Sequence, residues 1–407
     1  MFKVVAVMAG LALSTVACGV DNGNWMPADA STSMPDAAGT DAAVVLPDGL
    51  TAVAADDPNV QYVGRFDTGQ FSNSVGTTKQ PVAGLSASTV TIRFTGTAVG
   101  VKLSDQFLYG HPNYFDAVVD GKVVGLLTAN PDTTTYPIAA NLPMAEHVVS
   151  VVKRTESNAG HTQYLGWVIA GAMMAPPERP TRRLEFIGDS ITAGVGVDAP
   201  NGDPRCSADS WGQPAEDGYK SFGALIGRDL NAESHIIGIS GGGLIRNYSF
   251  TYEMRTVPQM FDLVFPQPQK DAPVWDPTHT QWVPDAIVIA LGTNDFAPGD
   301  AASMPPLPPI PDAATFAGKY IDFVTTLRGF YADAQIFAVS SPVQGAGALA
   351  AGLTMMESHF AASGDSKVHA ILLPQISGTG CTTHPSAAQH VDIAAQIETA
   401  MKPALGW

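Results

Sequence analysis

The chain has 407 residues, 45% of them apolar and only 14% charged, with 38 acidic against 21 basic side chains. That length predicts two folded units with tails, and the apolar share is enough to fill their cores. A net charge of −17 excludes a nucleic-acid partner, because no basic stripe is present to neutralise a phosphate backbone.

Residues 1–18 read as an export signal. Lys3 gives a positive start, and an apolar run from Val4 to Ala17 ends in small residues before Cys18. The run is too short to span a membrane as a stable helix. Thr15-Val16-Ala17-Cys18 resembles a bacterial lipobox, with Thr15 where leucine is usual. The resemblance implies lipidation of Cys18 and a lipid anchor at the cell envelope, the one membrane contact expected; plain secretion is the alternative. Residues 19–59 are mostly Ala, Asp, Pro, Ser, Thr and Gly, and no Lys or Arg occurs between Lys3 and Arg65. Such a stretch buries too little to offset its ordering entropy, so it is expected to be a disordered acidic linker.

Residues 60–176 follow a period of two. Val90, Ile92 and Phe94 alternate with Thr89, Thr91 and Arg93, the pattern of a half-buried strand. Runs at 114–119 and 122–127 flank Asp120-Gly121, a hairpin signal, and further β-rich runs cover 147–153 and 164–170. The prediction is an all-β sandwich of jelly-roll kind. Ala175-Pro176-Pro177-Glu178-Arg179-Pro180 then reads as a stiff hinge between domains.

Over 177–407 strands alternate with helices, which predicts an α/β three-layer fold with a parallel sheet of about five strands. The strands are expected at 184–187, 235–239, 286–291, 335–339 and 368–373. Tyr219, Phe222, Leu225, Ile226 and Leu230 share one helical face, and Phe316, Tyr320, Phe323, Val324 and Leu327 another. Function in such sheets gathers at the carboxyl ends of the strands.

Those ends carry distinctive residues. Gly188-Asp189-Ser190-Ile191 follows the first strand, with Gly194 and Gly196 close behind. Ser240-Gly241-Gly242-Gly243 follows the second, Gly292-Thr293-Asn294-Asp295 the third, and Thr383-His384-Pro385-Ser386 stands near the C-terminus. Ester cleavage needs a hydroxyl activated by a base, and donors aimed at the oxyanion. A serine at a strand-to-helix turn presents its Oγ and its own N–H. A glycine allows a second N–H to approach, an asparagine amide can supply a third donor, and a histidine on the last loop can serve as base.

In that order, Ser, Gly, Asn and His, the set resembles the SGNH (GDSL) hydrolases. The resemblance implies Ser190 as nucleophile, His384 as base, and the Ser190 N–H, Gly241 and Asn294 as the oxyanion hole. Gly64-Arg65-Phe66-Asp67, Asn113-Tyr114-Phe115 and Lys153-Arg154-Thr155-Glu156 in the β domain are similar to family-two carbohydrate esterases, acetyl xylan esterases among them. So are Glu216-Asp217-Gly218-Tyr219 and Arg246-Asn247-Tyr248. That family pairs a jelly roll with an SGNH domain and deacetylates cell-wall polysaccharides, which implies acetylated xylan or glucomannan as substrate.

One position departs from the pattern. Many SGNH enzymes carry Asp three residues before the histidine; here that residue is Cys381. A backbone carbonyl can hold the histidine instead, so a Ser190–His384 dyad is the expected machinery. A lipase or small-ester hydrolase would use the same residues, and a non-catalytic carbohydrate-binding lipoprotein is the reading the missing acid favours. Acyl-chain preference separates the first of these, and turnover of an aryl acetate the second.

The nine histidines show no Cys-x-x-Cys or His-Glu-x-x-His spacing, and no dinucleotide or phosphate loop is present, so neither metal nor cofactor is expected. The Pro-rich run from Pro298 to Pro311 is expected either as a rim of the site or as an inert surface insertion. Export implies an oxidising compartment. With Cys18 consumed by lipid, Cys206 and Cys381 remain, both in loops at the same end of the sheet, and a disulfide between them is expected.

Overall fold

A computed structural model describes residues 44–407, apart from 71–73, 108–110, 208–212, 250–254, 267–271, 276–280, 302 and 304–305. The expected export signal, Cys18 and most of the linker lie outside the described residues.

The first domain contains β1 (Thr51–Ala54), β2 (Gln61–Val63), β3 (Phe66–Asp67), β4 (Val82–Ala83), β5 (Thr89–Phe107), β6 (Tyr114–Val119), β7 (Lys122–Thr128), β8 (Thr135–Ala139), β9 (Ala145–Lys153) and β10 (Gly160–Met173). All described pairings among these strands are antiparallel. The alternation in β5 has its expected meaning: Val90, Ile92 and Phe94 are fully buried, in one core with Val149, Val151, Tyr164 and Trp167. β5 changes partner midway along one edge, from β9 over Thr89–Gly96 to β8 over Val99–Lys102. The layers of the sandwich are therefore hydrogen-bonded into one ten-stranded sheet. Asp120 and Gly121 turn the β6–β7 hairpin with φ of 49° and 78°, as a two-residue turn between right-twisted strands requires.

The linker reading needs one correction. β1 lies inside 19–59, paired with β10 from Thr51↔Ile169 to Ala54↔Gly166. The bland composition hid it because a four-residue strand joins the sheet with a single buried side chain, Val53.

The second domain has a parallel sheet of β11 (Arg182–Gly188), β12 (Ala232–Gly238), β13 (Ala286–Ala290), β14 (Gln335–Val339) and β15 (Val368–Ile371), in spatial order β12-β11-β13-β14-β15. Alternate side chains feed two cores. Leu184 and Phe186 face helices α2 (Phe222–Asp229) and α6 (Ala387–Leu405), while Ile187 faces α4 (Ala313–Phe330) and α5 (Ala346–Ala362). Tyr219 falls outside α2, in a separate short turn, because Ser221 caps the helix by accepting from the Ala224 N–H. In this strand order the connections leave β11 and β13 in opposite directions, which opens a crevice at their carboxyl ends.

The stretch before β11 is no hinge. Pro177 O accepts from Gln61 Nε2 at 2.9 Å, and Arg179 both pairs with Glu233 at 2.6 Å and donates to Tyr62 O. Arg65 of the β domain pairs with Glu185 of β11 at 2.8 Å, both fully buried. The sequence runs Lys153–Glu156 and Glu216–Tyr219 meet across the same interface: Arg154 Nε donates to Glu216 O, and Gly218 N–H to Arg154 O. Gly218 is required there, since a Cβ would stand 2.7 Å from Ala87 N.

Candidate active site

Ser190 opens the short helix α1 (Ser190–Ala193) at the end of β11. Asp189 caps that helix by accepting the Ile191 N–H at 3.0 Å. The Ser190 N–H, first in the helix, has no acceptor within it. Gly188 makes the sharp elbow possible: a Cβ there would lie 2.1 Å from Thr192 Oγ1.

His384 approaches from the loop between β15 and α6. Its Nε2 is 2.8 Å from Ser190 Oγ. Its Nδ1 is 3.1 Å from Cys381 O and 2.9 Å from Thr382 Oγ1, whose hydroxyl also donates to Cys381 O. A carbonyl oxygen only accepts, so the Nδ1 bond to it places the proton there and leaves the Nε2 lone pair for the serine hydroxyl. Cys381 occupies the position where an aspartate is common, and its backbone takes over the orienting contact. Burial holds the imidazole below its ordinary value of 6.5, against the upward pull of its bonds to this loop.

The loop is tied down from several sides. Cys381 N–H donates to Gly196 O at 3.0 Å, and Ala387 N–H to Val197 O. Cys206 and Cys381 form a disulfide with Cα atoms 5.2 Å apart, within the span a bridge allows. Thr382 and Thr383 have φ of 50° and 64°, unfavourable for β-branched residues, so the loop keeps its shape because its surroundings enforce it. Mild reduction is therefore expected to cut esterase turnover at temperatures where the circular dichroism of the fold is unchanged. Two free thiols in the native mature protein would contradict the bridge.

Gly241 and Asn294 stand after the neighbouring strands. Asn294, in α3 (Thr293–Phe296), is buried and donates from Nδ2 to Gly242 O at 2.7 Å. Gly241 has φ of 71° in the turn after β12. The structure thus sets the four predicted positions on four different loops at one end of the sheet, with Ser190 meeting His384 and Asn294 bonded to the residue after Gly241.

Two contributors escaped the sequence reading. Asp295 accepts the N–H groups of Leu244, Ile245 and Arg246 at 2.9, 2.7 and 3.1 Å, and so grips the loop that carries Gly241. Its position directly after Asn294 was the available signal. Thr382, the second partner of the histidine, had none. Arg246 donates to Pro298 O and Pro308 O as well as Asn294 O, which fastens the Pro-rich run behind the Asn294 turn.

Comparison with known proteins matches residues 62–177 to the carbohydrate esterase 2 N-terminal family, and residues 186–397 to the GDSL-like lipase/acylhydrolase family. The chain is 32% identical over 360 residues to the cellulase/esterase CelE of Acetivibrio thermocellus, covering 86% of this chain and 40% of that protein's length. It is 25% identical over 362 residues to an acetylxylan esterase / glucomannan deacetylase of Cellvibrio japonicus, covering 87% of this chain and 91% of the relative. Among solved structures, a family two carbohydrate esterase from Clostridium thermocellum in complex with cellohexaose superposes with a TM-score of 0.74 at 30% identity, over 86% of this chain and 99% of that one. A family two carbohydrate esterase from Cellvibrio japonicus, 22% identical with a TM-score of 0.75 over 88% of this chain and 99% of that one, shares the fold. With both its domains matched and its two-domain architecture shared, the chain belongs to the family-two carbohydrate esterases of the GDSL-like superfamily.

Proposed function

We propose that the protein is a serine esterase that removes O-acetyl groups from cell-wall polysaccharides of the xylan or glucomannan kind. The observation that carries this reading is the 2.8 Å contact of His384 Nε2 with Ser190 Oγ, with Nδ1 turned to the Cys381 carbonyl. His384 takes the proton as Ser190 Oγ attacks the acetyl carbonyl, and the tetrahedral oxyanion is held by the N–H groups of Ser190 and Gly241 and the Asn294 amide. His384 then returns the proton to the departing sugar hydroxyl. Water, activated by the same imidazole, releases acetate from the acyl-enzyme. The named activities of the relatives support the substrate class.

Turnover on acetylated xylan, acetylated glucomannan and aryl esters of increasing acyl length, measured side by side, tests the reading. Acetyl esters of the polysaccharides are expected to lead; a preference for long acyl chains makes the protein a lipase-like hydrolase instead. Because burial lowers the pKa of His384, its neutral, basic form persists below pH 6.5. The value of kcat/KM is therefore expected to be level through pH 7 and to fall only on the acid side of 6.5. An acid limb centred above that value would contradict the buried-base geometry.

Export and lipid anchoring through Cys18 are part of the proposal. The Cys206–Cys381 disulfide supports an oxidising compartment. Labelled palmitate is expected to enter the wild-type chain but not Cys18→Ser.

A further inference from the structure

The turn between β9 and β10 reaches out of its own domain. Glu156, 1% exposed, accepts the Ser240 N–H on Oε2 at 2.8 Å. Ser240 stands immediately before Gly241. The Gly242 N–H returns to Ile239 O at 3.0 Å, and with Gly241 at φ 71° residues 239–242 form a type II turn. The Gly241 N–H belongs to the middle peptide of that turn. The same chain direction can be reversed by a type I turn, in which the middle peptide is flipped and its N–H points the other way. The direction of the donor therefore depends on what holds the peptides around it. Asp295 grips the loop beyond the turn, and the Tyr248 N–H holds Gly241 O at 2.9 Å. On the near side the hold comes from the other domain.

Glu156 is itself fixed. Its N–H donates to Glu216 Oε1 at 2.6 Å, its carbonyl accepts from Lys153 Nζ at 3.2 Å, and its Oε1 accepts from Asn158 Nδ2 at 3.0 Å. Burial pushes its carboxyl up to about 7, a desolvation cost that an apolar side chain would avoid. Packing alone does not account for it.

We propose that Glu156 is a positioning residue for ester cleavage. Carried by the β domain, it sets the turn whose Gly241 N–H faces the oxyanion, so the N-terminal domain is a working part of the active site. This rests on the esterase reading above.

The test compares Glu156→Gln, Glu156→Asp and Glu156→Ala on an aryl acetate, with wild type and Ser190→Ala alongside. Gln keeps an oxygen for the Ser240 N–H, and its NH2 can face Asn158 Oδ1, which has no partner among the described residues. Asp keeps a carboxyl but is one methylene too short to reach Ser240. Gln is expected to stay within about threefold of wild-type kcat, while Asp and Ala fall roughly ten- to a hundredfold with KM little changed. Wild-type kcat per folded molecule in Asp and Ala overturns the proposal, as does a change in KM alone or a Gln variant as poor as Ala. Failure of all three to fold assigns Glu156 to folding only and also overturns it. A silent wild type, by contrast, sinks the esterase reading itself.

Discussion

Ser190→Ala is expected to lower turnover about a millionfold, with the melting temperature nearly unchanged. The side chain removed is small, and the hydroxyl's contact is the one to His384 Nε2. The imidazole remains held from its other side by Cys381 O and Thr382, so neither the loop nor the elbow loses its support. His384→Ala is expected to cost about as much, because an unactivated serine hydroxyl is a poor nucleophile at neutral pH. The double variant should then be hardly worse than either single one. Additive losses in that cycle would show that the two groups do not act as a unit. Melting and turnover measured on one preparation separate lost chemistry from lost fold.

Asn294→Ala should lower kcat roughly a hundred- to a thousandfold and leave KM almost alone. The amide nitrogen carries two hydrogens. One goes to Gly242 O at 2.7 Å and fixes the group, leaving the other for an oxyanion that exists only in the transition state. Asn294→Asp is expected to be worse than Ala despite its matching shape. It would set a carboxylate oxygen against Gly242 O and a second negative charge beside the developing one. A rise in KM with kcat intact would mean that Asn294 contacts the ground-state sugar ester instead.

Much of this arrangement was legible in the residue order. Each strand of the second domain announced itself as a short apolar run, and the first three carried their chemistry within the four residues after them. Local turns have local signatures, so Ser190, Gly241, Asn294 and His384 could be named before any coordinates. What stayed hidden depends on distant chain or on the backbone. Glu156 acts 84 residues away on Ser240, and no spacing rule relates a hairpin turn in one domain to a loop in another. A backbone carbonyl is common to every residue type, so the residue order shows that one is available to replace the aspartate but not that Thr382 shares the task. β1 left no signal because it buries only one side chain, Val53, within a long stretch of small and polar residues.

The buried Arg65–Glu185 pair bears on how the chain is made. The β domain precedes its partner in the chain, and domains tend to fold as units, the N-terminal one first. Until β11 appears, Arg65 lacks Glu185, and Arg154 has only Asp116 of the carboxylates it pairs with, Asp198 and Asp217 coming later in the chain. Burying Arg65 without Glu185 would leave an unpaired charge inside, so that face of the early domain stays open to water and closes only when the second sheet arrives. The two domains then melt together. Calorimetry of the whole chain should show a single transition, and a fragment cut at residue 177 should yield neither half in its native form.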